Sequence, residues 1–320
     1  MMAKQLLISN SEIQTWKDCR RKWWLVYYRE MAPRRDQEDP VGARQLGTRV
    51  HIALGAMYQD GLNPVEVLRS VYAEDEAALT AAQRTDRVTA LRKEYDLASA
   101  MIEGYVEWVA ETAVDEGLEL VATEDVIEVP GSVPGVTLRG KLDARFVRKV
   151  DKARLFLDHK TVGDLTTPQR ILPMDEQMKF YHLLEQLDGM YRGVSKEKQW
   201  RTDGALYNML RKVKRTATAK PPFYERVEVR HNRAVIESTW KRVHKVCEEI
   251  VAAHSALDAG ADHQYVCPPR PSRDCTWKCD FQPICAMFDD GSNVEGLMDE
   301  YYEHRDPHER YAKEDEEKAV

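Results

Sequence analysis

The sequence predicts an α/β fold: a central mixed sheet flanked by helices, with a helical lobe and a cysteine-bearing segment suited to binding metal. Three observations carry this expectation. Short apolar runs bounded by polar turns recur at 137–150, 153–161, 204–210 and 224–229, as buried strands do. Around them lie long stretches with helical periodicity, above all 64–117 and 232–259. Finally, Cys275, Cys279 and Cys285 crowd into the segment CTWKCDFQPIC, and a cysteine cluster in a chain without secretory features points to a metal more than to disulfides.

Bulk properties fit one large domain with appended lobes. The chain has 320 residues, 32% of them charged, with a formal net charge of -7, and its mean hydropathy is -0.58. Its apolar runs are too short to span a bilayer. MMAKQLLISN lacks the long apolar segment of a signal peptide, so a cytoplasmic location without membrane contact is expected. The acidic balance argues against nucleic acid only if charge is evenly spread. Arg20, Arg21 and Lys22 form one basic cluster, Arg139, Lys141, Arg145, Arg148 and Lys149 a second, and Arg211, Lys212, Lys214, Arg215 and Lys220 a third. Local basic patches on an acidic protein can still bind phosphates.

In chain order, Ser9 or Ser11 is expected to cap a helix reaching about Glu30, with Trp16, Cys19 and Trp23 on one face. A polar, proline-bounded loop follows at 31–40. A helix over 44–60 has Leu46, Val50, Ala53, Leu54 and Met57 as its apolar stripe and His51 beside it. Gly47 and Gly55 lie one turn before and after His51; glycine weakens a helix interior, so close approach of a backbone or ligand is expected there. Residues 64–117 should form two or three helices broken near 80–89. Strand character returns at 120–129, where Glu124 and Glu128 could approach the site without being assigned to it. After the two central strands, a helix over 173–187 carries Gln177 and Tyr181 on one face. A strand pair at 204–210 and 224–229 and a long helix at 232–259 complete the core. The tail after Phe288 is acidic and reads as helical, with AKEDEEKAV frayed at its end.

The chemistry concentrates in LFLDHKTV, residues 155–162. On a strand, side chains i and i+2 share a face, so Asp158 and Lys160 project together and His159 projects opposite. Pairing with the preceding strand would bring Asp143 beside Asp158. Two carboxylates and a lysine converging there suit Mg²⁺ and phosphate chemistry, and burying such charges unpaired would be costly. At the cysteine segment three thiols need a fourth ligand to close a tetrahedral or cubane site. Spacing leaves it open among Cys19, Cys247, Cys267 and several His, with zinc or an iron–sulfur cluster as the metal.

As a set, these motifs resemble a known family. G-x-x-D at Gly140–Asp143, D-x-K at Asp158–Lys160, Q-x-x-x-Y at Gln177–Tyr181, G-x-x-x-H at Gly47–His51, and S-x-x-x-x-W-x-x-C-R-R-K from Ser11 together resemble the RecB-like, iron–sulfur branch of the PD-(D/E)XK nuclease superfamily. The branch includes CRISPR-associated exonucleases and phage relatives. The resemblance implies a restriction-endonuclease-like core. It implies Mg²⁺ or Mn²⁺ held by His51, Asp143, Asp158 and the His159 backbone carbonyl, with Lys160, Gln177 and Tyr181 as further catalytic residues. It also implies a [4Fe–4S] cluster on Cys19, Cys275, Cys279 and Cys285, although three residues separate Cys275 from Cys279 where the family commonly has two. The division expected is an N-terminal cluster helix (1–40), a helical lobe (41–118), the nuclease core (119–262), the iron–sulfur segment (263–290) and the acidic tail (291–320). The implied activity is DNA exonuclease action on single strands or duplex ends in recombination, repair or phage DNA processing, with a single-strand-annealing recombinase or another recombination protein as possible partner. The alternatives are a CRISPR-adaptation nuclease or a non-catalytic iron–sulfur DNA-binding subunit.

Overall fold

The computed structural model describes residues 5–36, 38–191 and 202–311. The AKEDEEKAV segment lies outside them. The chain forms two compact units: one comprises 1–38, 128–140 and 237–320, the other 39–127 and 141–236. No helix among the described residues is long and apolar enough to cross a membrane.

In the first unit, β1 (Leu6–Ser9) precedes α1 (Asn10–Asp18) and α2 (Arg20–Trp23), and residues 24–28 continue as a π-helical turn. The short strand β2 (Met31–Pro33) closes this N-terminal stretch. The single helix expected to about Glu30 is therefore divided. Cys19 sits at φ -160° and ψ 115°, an extended conformation that ends α1 and opens α2. Its amide bonds back to the Thr15 carbonyl while its own carbonyl accepts from Trp23. Periodicity missed the break because the packing across it is continuous: Trp16 and Trp23 still meet edge to face at 4.8 Å. Ser9 is the cap, accepting from the Glu12 amide at 3.2 Å.

The second unit opens with three helices, α3 (Ala43–Asp60), α4 (Pro64–Ala81) and α5 (Thr85–Thr112). Asn63 caps α4, and proline in its first turn suits a start where no backbone donor is needed. Leu46, Val50 and Leu54 of α3, Leu68 of α4, and Met101 and Tyr105 of α5 share a buried core with Leu210 and Tyr224. The helical stretch thus packs on strand residues of the sheet. Strands β3 (Leu118–Pro130) and β4 (Val136–Arg148) supply residues to both units. In the first, β1 runs parallel to the start of β4, from Leu6 opposite Val136 to Ser9 opposite Arg139.

The remainder of the second unit holds β5 (Arg154–Val162), α6 (Thr166–Ile171), α7 (Glu176–Tyr191), β6 (Gly204–Arg211) and β7 (Tyr224–Val229). β4 and β5 are antiparallel, β5 and β6 parallel, β6 and β7 antiparallel, giving a mixed sheet. Ala144, Phe146, Leu155, Leu157 and Leu206 fill one face. The expected α/β architecture, a mixed sheet flanked by helices, is present. The helix expected from Pro173 starts at Glu176, because Pro173 lies in a 3₁₀ turn over Leu172–Met174 that follows α6.

α8 (Arg233–Asp258) returns the chain to the first unit, followed by α9 (His263–Val266), α10 (Cys275–Lys278), α11 (Gln282–Cys285) and α12 (Val294–Tyr301). The part of the tail expected to be helical also contains a strand, β8 (Tyr302–His304), antiparallel to β2. Tyr302 is buried there, stacked on Phe281 at 5.0 Å with its hydroxyl donating to the Asp280 carbonyl. That apolar anchor, invisible in the acidic composition, explains the difference.

Candidate active site

β5 enters the core at Leu155 and leaves it at Lys160: Leu155, Phe156 and Leu157 are fully buried, Asp158 is 4% exposed, and Lys160 reaches partial exposure. The register pairs Ala144 with Leu157, so Asp143 and Asp158 occupy the next position outward. An Asp143 carboxyl oxygen accepts from the His159 amide at 2.7 Å. Lys160 Nζ lies 2.6 Å from Asp158 Oδ2. His51, on α3, places Nδ1 3.4 Å from the other Asp143 oxygen. On α7, Gln177 Nε2 donates to Tyr181 Oη at 3.0 Å. His159 turns to the opposite face, where its Nδ1 lies 2.8 Å from Asn208 Nδ2.

Electrostatics separates the two carboxylates. Burial pushes up the Asp158 carboxyl, the nearby Asp143 charge adds to this, and Lys160 only partly opposes it. Asp143 pays the same burial cost, but the His51 hydrogen bond and charge, with His159 and Lys160 behind them, hold it below the usual range. Burial works against the Lys160 ammonium, yet Asp158 outweighs it and Lys160 stays protonated. The His51 imidazole is likewise raised: burial lowers it, and the Asp143 hydrogen bond and charge prevail. His159, buried without a counter-ion that prevails, falls to about 3 and is neutral.

At the glycines of α3, side chains rather than a backbone or ligand make the close approach. A side chain at Gly47 would meet Thr161 Oγ1 at 3.4 Å, and one at Gly55 would meet Glu124 Oε1 at 3.1 Å. Both mark α3 pressed against the sheet near the site. Gly55 was the available signal for Glu124, which sequence reasoning left unassigned. Glu124 sits at φ +48°, in the left-handed region, and pairs with Lys141 at 2.6 Å. Burial raises its carboxyl, Lys141 partly offsets this, and Asp143 and His51 are close enough to contribute. A third carboxyl therefore borders the Asp143–His51 pair.

Four of the five cations of the second basic cluster are paired with carboxylates. Arg139 pairs with Glu128, Lys141 with Glu124, Arg148 with Asp151 and Glu228, and Arg145 with Asp125, Glu185 and Asp188. In the third cluster Lys214 pairs with Asp96 and Arg215 with Glu107. Sequence grouped these cations as patches; apart from Asp151, their carboxylate partners come from other segments.

Among the described residues, no three His, Cys, Asp or Glu side chains are gathered to hold a metal ion as they stand. The donor set nonetheless suits a hard cation. Asp158 Oδ2 is buried and, apart from its ion pair with Lys160, accepts no hydrogen bond; an oxygen so placed has capacity for a cation. Around the cysteines, Cys19 Sγ accepts from the Arg270 amide at 3.5 Å and Cys275 Sγ from the Ser272 amide at 3.3 Å, contacts that suit thiolate sulfur. Cys279 and Cys285 are raised chiefly by burial, and each feels the charge of Cys19. Cys267, read from sequence as an ordinary thiol, is fully buried and also close to Cys19, with burial pushing it up to about 11. Cys247 is buried on α8, raised to about 12 by the same cause.

A paired-carboxylate and lysine site on a mixed sheet defines a class that the family comparison makes specific. The family model of the PD-(D/E)XK nuclease superfamily matches residues 7–286, and the chain belongs to that superfamily. Membership suggests a metal-dependent nuclease, and nucleases of this superfamily generally use Mg²⁺ or Mn²⁺. No curated protein matches the chain. Among solved structures, "Crystal structure of SSO0001" is similar at 15% identity and a TM-score of 0.30, over 66% of this chain and 80% of that one.

Proposed function

We propose that the protein is a DNA exonuclease whose site comprises His51, Asp143, Asp158, Lys160, Gln177 and Tyr181. The observation that carries this reading is the buried Asp143–Asp158–Lys160 group, with Asp158 Oδ2 paired to Lys160 and accepting no other hydrogen bond. Asp143, Asp158, His51 and the His159 backbone carbonyl would hold Mg²⁺ or Mn²⁺. Such an ion, when bound, polarises a phosphoryl oxygen and lowers the pKa of an attacking water. Lys160, kept protonated by Asp158, stabilises negative charge developing on the phosphate. Tyr181 lies within electrostatic range of Lys160, so the Gln177–Tyr181 pair can orient the lysine or a backbone phosphate. Cutting from DNA ends, in recombination, repair or phage DNA processing, follows from the family resemblance. The test is digestion of single- and double-stranded DNA labelled at either end, with Mg²⁺ or Mn²⁺ and with EDTA. An exonuclease releases the proximal label as mononucleotide or short oligomer from the outset. Early internal fragments from both labels would make it an endonuclease instead.

The same reading extends to a [4Fe–4S] cluster on Cys19, Cys275, Cys279 and Cys285, supported by the amide donors on two of these sulfurs. Its role would be structural, because metal binding at a site that forms only on folding stabilises the fold. Protein purified without oxygen should contain iron and acid-labile sulfide, and Cys279→Ala should lose both. Stoichiometric zinc with no iron would overturn the cluster assignment.

A further inference from the structure

We propose that Trp277, with Lys22, Arg270 and Arg273, forms a stacking platform for single-stranded nucleic acid. The inference rests on the DNA-directed reading above but concerns a surface that reading does not use. Trp277 is 70% exposed, unusual for a side chain with so much apolar area to bury. It is nonetheless held. It sits in the single turn of α10, its amide bonded to the Asp274 carbonyl at 3.3 Å. Lys278 Nζ lies 4.6 Å from the indole centroid, covering part of the ring. Lys278 is fixed in turn: its ammonium pairs with Asp274 at 2.7 Å, and its carbonyl accepts from Lys22 Nζ at 2.8 Å.

Part of the positive charge on this segment is not ion-paired. Four of the five cations of the second cluster are matched to carboxylates, as described above. Lys22 instead donates to a backbone carbonyl, and Arg270 donates through its guanidinium to the Lys17 carbonyl at 2.9 Å. Among the described residues, neither these two nor the exposed Arg273 has a carboxylate partner. They occupy the same stretch of the first unit. Arg270 contacts Cys19 and Lys17 at the α1–α2 break, Lys22 lies in α2, and Arg273 begins the turn that leads into α10.

An exposed indole beside unneutralised cations matches single-strand binding. Every base offers a π face to stack on an aromatic ring, while cations track the phosphates. A duplex hides its base faces within the stack, so the platform selects unpaired strands. Tryptophan and arginine also serve protein–protein interfaces; cations left without carboxylate partners and able to track phosphates favour the nucleic acid.

The experiment measures anisotropy of a fluorescein-labelled oligothymidylate in EDTA, where binding is read without cleavage. Trp277→Ala should weaken binding roughly tenfold to a hundredfold, the range expected for one lost base stack, and Trp277→Phe should keep most of the affinity. The double variant Arg270→Gln, Arg273→Gln should reduce the slope of log affinity against log salt by about 1.4, two single-strand phosphates' worth. A blunt duplex of equal length should respond little to Trp277→Ala. If folded Trp277→Ala binds the oligothymidylate as wild type does, the platform is wrong and the ring belongs to another contact. Cleavage of the same oligonucleotide in Mg²⁺ separates the two proposals. Wild type that cleaves, with binding insensitive to Trp277, sinks the platform alone. Wild type that never cleaves yet binds through Trp277 sinks the nuclease reading alone.

Discussion

Lys160→Ala should abolish nuclease activity while leaving the protein folded. The lysine lies at the rim of the site, 2.6 Å from Asp158 Oδ2, on the strand face opposite His159. Losing a positioned charge that stabilises a developing oxyanion costs roughly 10²- to 10³-fold in rate. The fold should tolerate the change, because Asp158 can go neutral once its cation is gone: burial already favours the protonated carboxyl. Lys160→Arg should restore little, since a planar guanidinium is not a compact ammonium. Single-turnover cleavage of labelled DNA, beside circular dichroism of both variants, checks this. A folded Lys160→Ala that cuts at the wild-type rate would remove the lysine from the mechanism.

Arg145→Ala should be strongly destabilising. Arg145 is buried between Asp125 and Glu185, the latter bonded to Nε at 2.7 Å, with Asp188 Oδ2 3.6 Å away. Glu185 and Asp188 are buried as well. Removing the cation strands their carboxylates in the interior, and breaking a buried pair this way costs about 3–5 kcal/mol. The loss should depend on pH with a definite sign. Burial already raises Glu185 to about 7, with Arg145 opposing. Without the arginine it takes up a proton more readily, so the variant should be closer to wild type at pH 6 than at pH 8. Urea midpoints at the two pH values measure this. Equal midpoints for variant and wild type would show that the network contributes no net stability.

Sequence reasoning found what local periodicity and short motifs encode. Alternation on β5 was enough to set Asp158 and Lys160 against His159, and the turn before it was enough to pair Asp143 with Asp158. Glycines inside α3 were expected to face a backbone or ligand; they face the side chains of Thr161 and Glu124. What escaped was set by distant partners. The break at Cys19 is hidden because Trp16 and Trp23 pack across it. Strand β1 has only four residues, LLIS, too short for a period to register. Basic clusters read as phosphate-binding patches were mostly ion-paired, Arg145 with Glu185 and Arg215 with Glu107, across separations that composition cannot see. Conversely, Trp277 lies in the segment read only for its cysteines, and its exposure is visible only in the structure.

The central claim is that Asp143 and Asp158 hold the ion on which phosphodiester cleavage depends. The most direct measurement is the cleavage rate of end-labelled single-stranded DNA across a Mg²⁺ titration, for wild type and for Asp158→Asn. The account predicts saturable, EDTA-reversible activity in wild type and none in the folded variant at any Mg²⁺ concentration. Metal-independent cleavage, or a variant whose Mg²⁺ dependence overlays that of wild type, would contradict it.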